Sequence, residues 1–306
     1  MFEFSDPFNS DGEWLRGNLH THTTASDGIS SPQVVVDHYA TEDYDFLSIT
    51  DHGRLTDQSR LEPRGMTLIP AQEISLGRTE AGTTFHIVTI GIKTQLKHRD
   101  FDLQGDPQLA IDDANKQGAV VILAHPYWSG LNKNDMLRLT GYDGVEIYNS
   151  NCEIYNGAGD SRPHIDSILA DGRRTLLFAT DDHHGTPEPM KISDSAISWI
   201  SVKAKRDPTS ILAAIRSGMF YASNGPELKN ITMEEGTIVA KTSPANSIGF
   251  ISAPSRGTKY WAEDKPLIEA SYTPRKKETY LRVEATDVNG RTAWSNPIYI
   301  IPDVNI

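Results

Sequence analysis

Between residues 14 and 225 of this 306-residue chain, short apolar runs alternate with segments patterned as helices. The runs predict strands at 15–20, 45–50, 66–72, 85–92, 119–124, 144–148, 175–180 and 196–202, rich in β-branched and aromatic residues. Ser31-Pro32, Asp106-Pro107 and Asp207-Pro208 each place a capping side chain before a proline suited to a first helical turn. Gly118, Gly172 and Gly218 stand where such helices stop. Ile211, Leu212 and Ile215 share one face of a helix over 208–218, and Leu109, Ile111 and Ala114 one face over 107–117. This alternation predicts a mostly parallel α/β barrel or sheet.

After Asn224-Gly225-Pro226 the pattern changes to strand-like runs at 228–233, 236–242, 247–253, 267–272, 279–286 and 297–301. Turn-formers separate them: Glu235-Gly236, Pro244-Ala245-Asn246 and Asn289-Gly290, the last a strong hairpin signal. No amphipathic helix is evident there. The pattern predicts two units, a barrel over 1–226 and a small antiparallel β-sandwich over 227–306 that supports the first.

The chemistry sits where the apolar runs stop. His20 and His22 flank Thr21 at one run's end, where alternate residues point to the same side and both imidazoles can reach one ion. Asp27 follows in a Ser26-Asp27-Gly28 turn, and His52 follows Asp51. Glu73 ends LIPAQE, His86 heads HIVTIGI and His125 closes VVILAHP; Asp182 and His184 complete the series. Six of the ten histidines occupy these positions, so separate structural roles for each are hard to sustain. A barrel is the preferred fold because it gathers successive strand ends at one mouth. Nitrogen and oxygen donors without cysteine suit two or three divalent ions of zinc, manganese or iron. In Asp181-Asp182-His183-His184 two registers of a D-x-H pair are open. Asp51 is expected to orient a ligand histidine. Glu146 and Asn149 are expected mainly to pack and hydrogen-bond, and Tyr127 and Trp128 to offer an apolar wall.

A formal charge of −12 argues against a partner that is a nucleic-acid polymer, although bound cations would still admit small anionic substrates. The longest apolar stretch, AVVILA at 119–124, is too short for a membrane span, and no membrane partner is expected. The first 17 residues lack the apolar core of a signal peptide, so a cytoplasmic location is expected. Cys152 is the single cysteine, which excludes an internal disulfide. There is no P-loop and no GxSxG elbow.

As an ordered set, NLHTHTTASDG, SITDHG, AQE, HIVTIGI, LAHPYW and ATDDHHG resemble the motifs of the polymerase and histidinol phosphatase (PHP) superfamily. AILAHPYWSGL, GYDGVEIYN and YLRVEATDVNGRTAWSNPIYI are similar to its carbaryl-hydrolase-like branch. The resemblance implies a distorted (β/α)7, TIM-like barrel with a trinuclear metal site at its mouth. Carried over by position, it implies one ion on His20, His22, Glu73 and Asp182, a second on Glu73, His86 and His125, and a third on Asp27, His52 and His184. Many relatives have histidine where Asp27 stands. The D-x-H-G pattern selects Asp182 and His184, which leaves Asp181 behind the ligands and His183 at the rim as a candidate proton donor beside Glu73.

The expected activity is hydrolysis of a small-molecule phosphate ester by a metal-activated water. The alternative is a carboxylic or carbamate ester hydrolase on the same cluster; a non-catalytic binding protein is less favoured because none of the nine ligand positions holds an unsuitable residue.

Overall fold

A computed structural model describes residues 1–185, 193–252 and 256–301. It is a mixed α/β protein with far more strand than helix. The helix starts follow the local signals. Pro32–Thr41, Pro107–Lys116 and Pro208–Arg216 each begin at the expected proline, and the Asp106 and Asp207 side chains accept from Gln108 and Ser210 backbone N–H groups. Gly118 and Gly218, at φ 77° and 72°, take the left-handed turn that ends two of these helices. Leu109 departs from expectation: it is exposed, and Pro107, Ala110, Ile111 and Ala114 form the buried face.

The strands around the site form two arcs. In one, Glu13–Asn18, Phe46–Leu47 and Thr67–Leu68 run parallel, and Trp199–Ala204 lies antiparallel against the first. In the other the order is Ala71–Leu76, Phe85–Ile90, Val120–Leu123, Gly144–Asn149 and Leu176–Thr180. Its first two junctions are antiparallel and its last two parallel. The expected mostly parallel arrangement therefore fails at Phe85–Ile90. Only residues 77–84 connect it to Ala71–Leu76, enough for a turn but not for the crossover of a dozen or more residues that parallel neighbours need.

Nor is the expected barrel realised as one closed sheet. Among the described residues, the strand pairing between the arcs is limited to isolated bridges, His52 with Glu73 and Thr21 with His183. Backbone bonds from Asp182 N to His20 O (2.9 Å) and from Glu73 N to Thr50 O (3.1 Å) reinforce these seams. Asp182, at φ 55°, turns the chain out of strand geometry, so the ladder cannot continue there. Both seams run through ligand-type residues.

The run expected at 66–72 breaks at Pro70, which has no N–H to donate, into Thr67–Leu68 and Ala71–Leu76. Glu73 consequently lies inside a strand and not at its end. His86 lies at the start of an antiparallel strand, and that reversal brings it to the same rim.

Beyond residue 226, Leu228–Glu234, Thr237–Ala245 and Leu267–Tyr272 form a three-stranded antiparallel sheet. Ser247–Ser252, Gly257–Trp261, Tyr280–Thr286, Thr292–Ser295 and Ile298–Ile300 join an eleven-stranded sheet that also contains the first arc. The two sheets close over a core that includes Ile231, Ile238, Phe250 and Val283. Tyr280–Thr286 and Thr292–Ser295 flank the Asn289-Gly290 turn, with Thr286 opposite Thr292. Phe220–Ser223 pairs with Thr292–Ser295, and Phe2–Glu3 pairs with Ile298–Ile300. No helix among the described residues is long and apolar enough to cross a membrane.

Candidate metal centre

The nine sequence-derived ligand positions come together at one mouth. His20 and His22 point the same way, as alternation requires: each Nε2 lies 3.1 Å from Asp182 Oδ1 and within 3.2 Å of Glu73 Oε2. His52 Nε2 is 3.3 Å from the same Glu73 oxygen. The other oxygen, Oε1, faces His86 Nδ1 at 2.7 Å and His125 Nε2 at 3.7 Å. Glu73 thus divides its two oxygens between different imidazole sets. Nearer the surface, Asp27 Oδ2 is 3.4 Å from His184 Nε2 and 3.7 Å from His52 Nε2, while Asp27 Oδ1 is 3.4 Å from His22 Nδ1. Gly28 makes this approach possible, since a Cβ there would lie 2.6 Å from the His22 carbonyl group.

Four subsets could each hold an ion: His20, His22 and Glu73; His20, His125 and Asp182; His52, Glu73 and His86; and His22, Asp27, His52 and His184. His22 Nε2 and Asp182 Oδ1 are buried without any hydrogen-bond partner. An orphaned carboxylate oxygen and an orphaned ring nitrogen at 3.1 Å are costly to bury unless a cation lies between them. The donor set therefore fits divalent ions that accept nitrogen and oxygen.

Further side chains hold these donors. Glu146, buried behind His20, contacts its Nδ1 at 2.7 Å. Ser129 Oγ meets His125 Nδ1 at 2.9 Å, and Ser75 Oγ lies between His52 Nδ1 (3.3 Å) and His86 Nδ1 (3.2 Å). Asp100 stands behind His52, with Oδ2 3.5 Å from its Nδ1; burial pushes the Asp100 carboxyl up to about 6. Asp100 was not among the sequence-derived candidates, because a loop aspartate has no local signature of this role.

Other expectations need correction. Asp51 braces the Thr23–Ser26 turn instead of a ring, accepting from Thr23 N at 2.8 Å, Thr23 Oγ1 and Ser26 Oγ. Asp181 does lie behind the ligands, as expected, where it accepts from Tyr39 OH and from the backbone of Ala196, Ile197 and Ser198 and anchors the chain. His183 is not at the rim. It is buried, with Nδ1 2.7 Å from Asp194 Oδ1 and its ring beside Tyr39 and His38. Of the expected apolar wall, Trp128 lines the mouth, whereas Tyr127 packs against His164.

The charges form a coupled set. Burial opposes protonation of His20, yet Asp182, Glu146 and Glu73 beside it raise its pKa well above the ordinary range. Burial likewise opposes protonation of His22, but the Asp182 and Glu73 carboxylates beside it lift it to about 10. Burial draws His52 down to about 4. Glu73 is held well below its usual range despite burial, by His52, His20 and His86. With no metal bound, His22 carries a proton at neutral pH, and that proton must leave before its nitrogen can ligate. Zinc binding is accordingly expected to release protons, with apparent affinity rising as pH climbs toward about 10. Calorimetry in two buffers of different ionisation enthalpy checks this; equal heats in both would contradict it.

Above the cluster lies a cavity of about 350 Å³ walled by Phe101, Trp128, Ile154 and Tyr155. Trp128 stands edge-on to His125 and His86, with ring centroids 5.0 and 5.5 Å away. Among the described residues, no lysine or arginine lines this cavity.

Fold and site together define a mixed α/β protein with a buried carboxylate and imidazole cluster suited to several divalent ions. It is similar to a two-domain protein containing a predicted PHP-like metal-dependent phosphoesterase from Bacteroides vulgatus, with 18% identity, a TM-score of 0.53, and 91% of this chain and 93% of that one covered. At that identity the likeness is one of fold. Two shorter matches are an amidohydrolase from Chromobacterium violaceum with bound sulfate and no metal (15% identity, TM-score 0.43, 58% of this chain and 90% of that one), and a metal-dependent phosphoesterase, so described, from Bifidobacterium adolescentis (15%, 0.42, 57% and 90%). No family model and no curated protein matches the chain.

Proposed function

We propose that this chain is a metal-dependent hydrolase of the PHP superfamily, in its carbaryl-hydrolase-like branch, acting on a small phosphate ester. The observation that carries this reading is the orphaned pair His22 Nε2 and Asp182 Oδ1 at the centre of a nine-residue donor cluster. In this reading His20, His22, Glu73 and Asp182 hold one ion of zinc, manganese or iron, and Glu73, His86 and His125 a second. Asp27, His52 and His184 hold a third. The two strand arcs are then an opened form of the PHP barrel, residues 1–226 its catalytic unit and 227–306 a support. The substrate is a small molecule in the cytoplasm, and neither a nucleic-acid polymer nor a membrane is a partner.

Such ions, when bound, polarise an ester oxygen and lower the pKa of a water. The chain's own residues do the rest. Glu73 spaces the inner positions by dividing its two oxygens between imidazole sets. Half-exposed Asp27 and partly exposed His184 stand where a substrate's free oxygens would arrive. Trp128 and Phe101 shield one side of the cavity and hold the organic part of the ester. The assembled outer group of His22, Asp27, His52 and His184 favours phosphorus, because an in-line transition state carries charge that a third cation would share.

A second reading, carboxylic or carbamate ester hydrolysis, is favoured by the apolar wall and by the absence of lysine or arginine among the described lining residues. The two separate in a turnover panel on manganese- or zinc-reconstituted protein with a phosphomonoester, a phosphodiester and a naphthyl ester or carbamate. Phosphoester turnover is expected, falling roughly 100-fold or more in His184→Ala as a few kcal/mol of charge stabilisation is lost. Turnover of the naphthyl ester or carbamate that survives the variant, with no phosphoester turnover, would establish the second reading instead.

A further inference from the structure

Glu146 lies on Gly144–Asn149, and both its oxygens are fully used. Oε1 is 2.7 Å from His20 Nδ1 and accepts from Thr180 Oγ1 at 2.7 Å. Oε2 accepts from the His125 backbone N–H and from Asn149 Nδ2, each at 2.8 Å. The same Asn149 amide also donates to Asp182 Oδ2 at 3.2 Å. One buried carboxylate therefore touches, directly or through one amide, three of the nine donors, carried on three different segments of the chain.

The local backbone is built for this. Positions 146 and 149 of a regular strand face opposite sides. Here the register against Leu176–Thr180 shifts between Glu146 and Tyr148, and this bulge turns both side chains inward. His125, at φ 29°, holds a backbone conformation unfavourable for a residue with a Cβ, and its N–H is the group that Glu146 accepts.

We propose that Glu146 is the positioning residue of the inner metal centre: it fixes His20 with Nδ1–H donating, leaves Nε2 free to ligate, and sets His125 and Asp182 in register. This rests on the metal-centre reading above. All four of its partners are donors, which makes Glu146→Gln the informative change. The glutamine amide turns an NH₂ group toward two donors. If that group faces His20, Nδ1 must accept and Nε2 takes the proton, which removes a ligand. If it faces the other way, it opposes the His125 N–H and the Asn149 amide.

The test is zinc binding by chelator competition and metal analysis on folded wild-type, Glu146→Gln and Glu73→Ala proteins. Proton NMR of the zinc-loaded forms follows the slowly exchanging Nδ1–H of His20. Glu146→Gln is expected to lose about 10- to 100-fold in affinity for the inner zinc, the range for residues that orient metal ligands, and to lose that imidazole resonance. Thr180→Val, which removes one donor to Glu146 without touching a ligand, is expected to lose less than about 10-fold. Glu146→Asp keeps the charge but is one methylene short of His20, so it is expected to lose affinity too; it decides the matter if Glu146→Gln does not fold. Wild-type zinc affinity and an unchanged His20 resonance in either folded variant would overturn the proposal. If Glu73→Ala also kept its zinc, the metal-centre reading itself would fall, which is a separate result.

Discussion

Glu73→Ala is expected to strip the inner ions and to reduce hydrolysis by roughly three orders of magnitude or more, because several kcal/mol of charge stabilisation go with the metal and each 1.4 kcal/mol is about tenfold. Glu73 is the one side chain whose two oxygens face His20, His22 and His52 on one side and His86 and His125 on the other. Neither Asp182, which lies across the cluster, nor Glu146, occupied behind His20, can replace it. The variant should still fold: it removes a buried charge whose main partners are imidazoles that can become neutral. Metal analysis alongside turnover checks the prediction. Full metal content with unchanged turnover would remove the cluster from the mechanism.

Arg282→Ala is expected to cost about 3–5 kcal/mol of stability, the range for breaking a buried ion pair from one side. Arg282 is 1% exposed. Its guanidinium meets Asp166 on the helix Arg162–Ala170 and Glu284 on its own strand, the latter with Nε to Oε1 at 3.0 Å. Arg162 closes the network from the helix side, with Nη1 3.2 Å from Glu284 Oε2. Without Arg282, Asp166 and Glu284 lose their main counter-charge at the junction between the arcs and the C-terminal strands. Denaturant unfolding monitored by circular dichroism gives the measure. A loss under about 1 kcal/mol would mean that the network behaves like an exposed pair.

Local chemistry was readable from the chain. The His20-Thr21-His22 pair works because strand alternation puts both rings on one side, a rule that needs no distant residue. The helix starts at Pro107 and Pro208 followed from the aspartate before each, since capping is satisfied within one turn, and the helix at Pro32 starts at its proline without a side-chain cap from Ser31. The ligand types at Asp27, His52, Glu73, His86, His125, Asp182 and His184 were likewise visible as polar stops beside apolar runs. Asp182 was distinguished from Asp181 only by resemblance, and the structure turns the two in different directions: Asp182 toward His20 and His22, Asp181 toward the backbone at 196–198.

What remained hidden depends on contacts between distant segments. His86 reaches the mouth because its strand runs antiparallel, a consequence of the short connection at 77–84 and of pairing with Ala71–Leu76. Glu146 turns toward His20 because of a bulge set by its pairing with Leu176–Thr180. His183 is buried because its backbone bridges to Thr21, far away in sequence, and that leaves its side chain to Asp194. Asp100 earns its place behind His52 from a loop with no repeating pattern at all. The sequence by itself determined the donor types, their order and the punctuation of the helices, because each rests on covalent neighbours or on a strand's own period. Only the tertiary structure decided strand direction, the seams between the arcs and the residues that hold the ligands in place, because hydrogen-bond register and burial are settled between segments that meet only when the chain is folded.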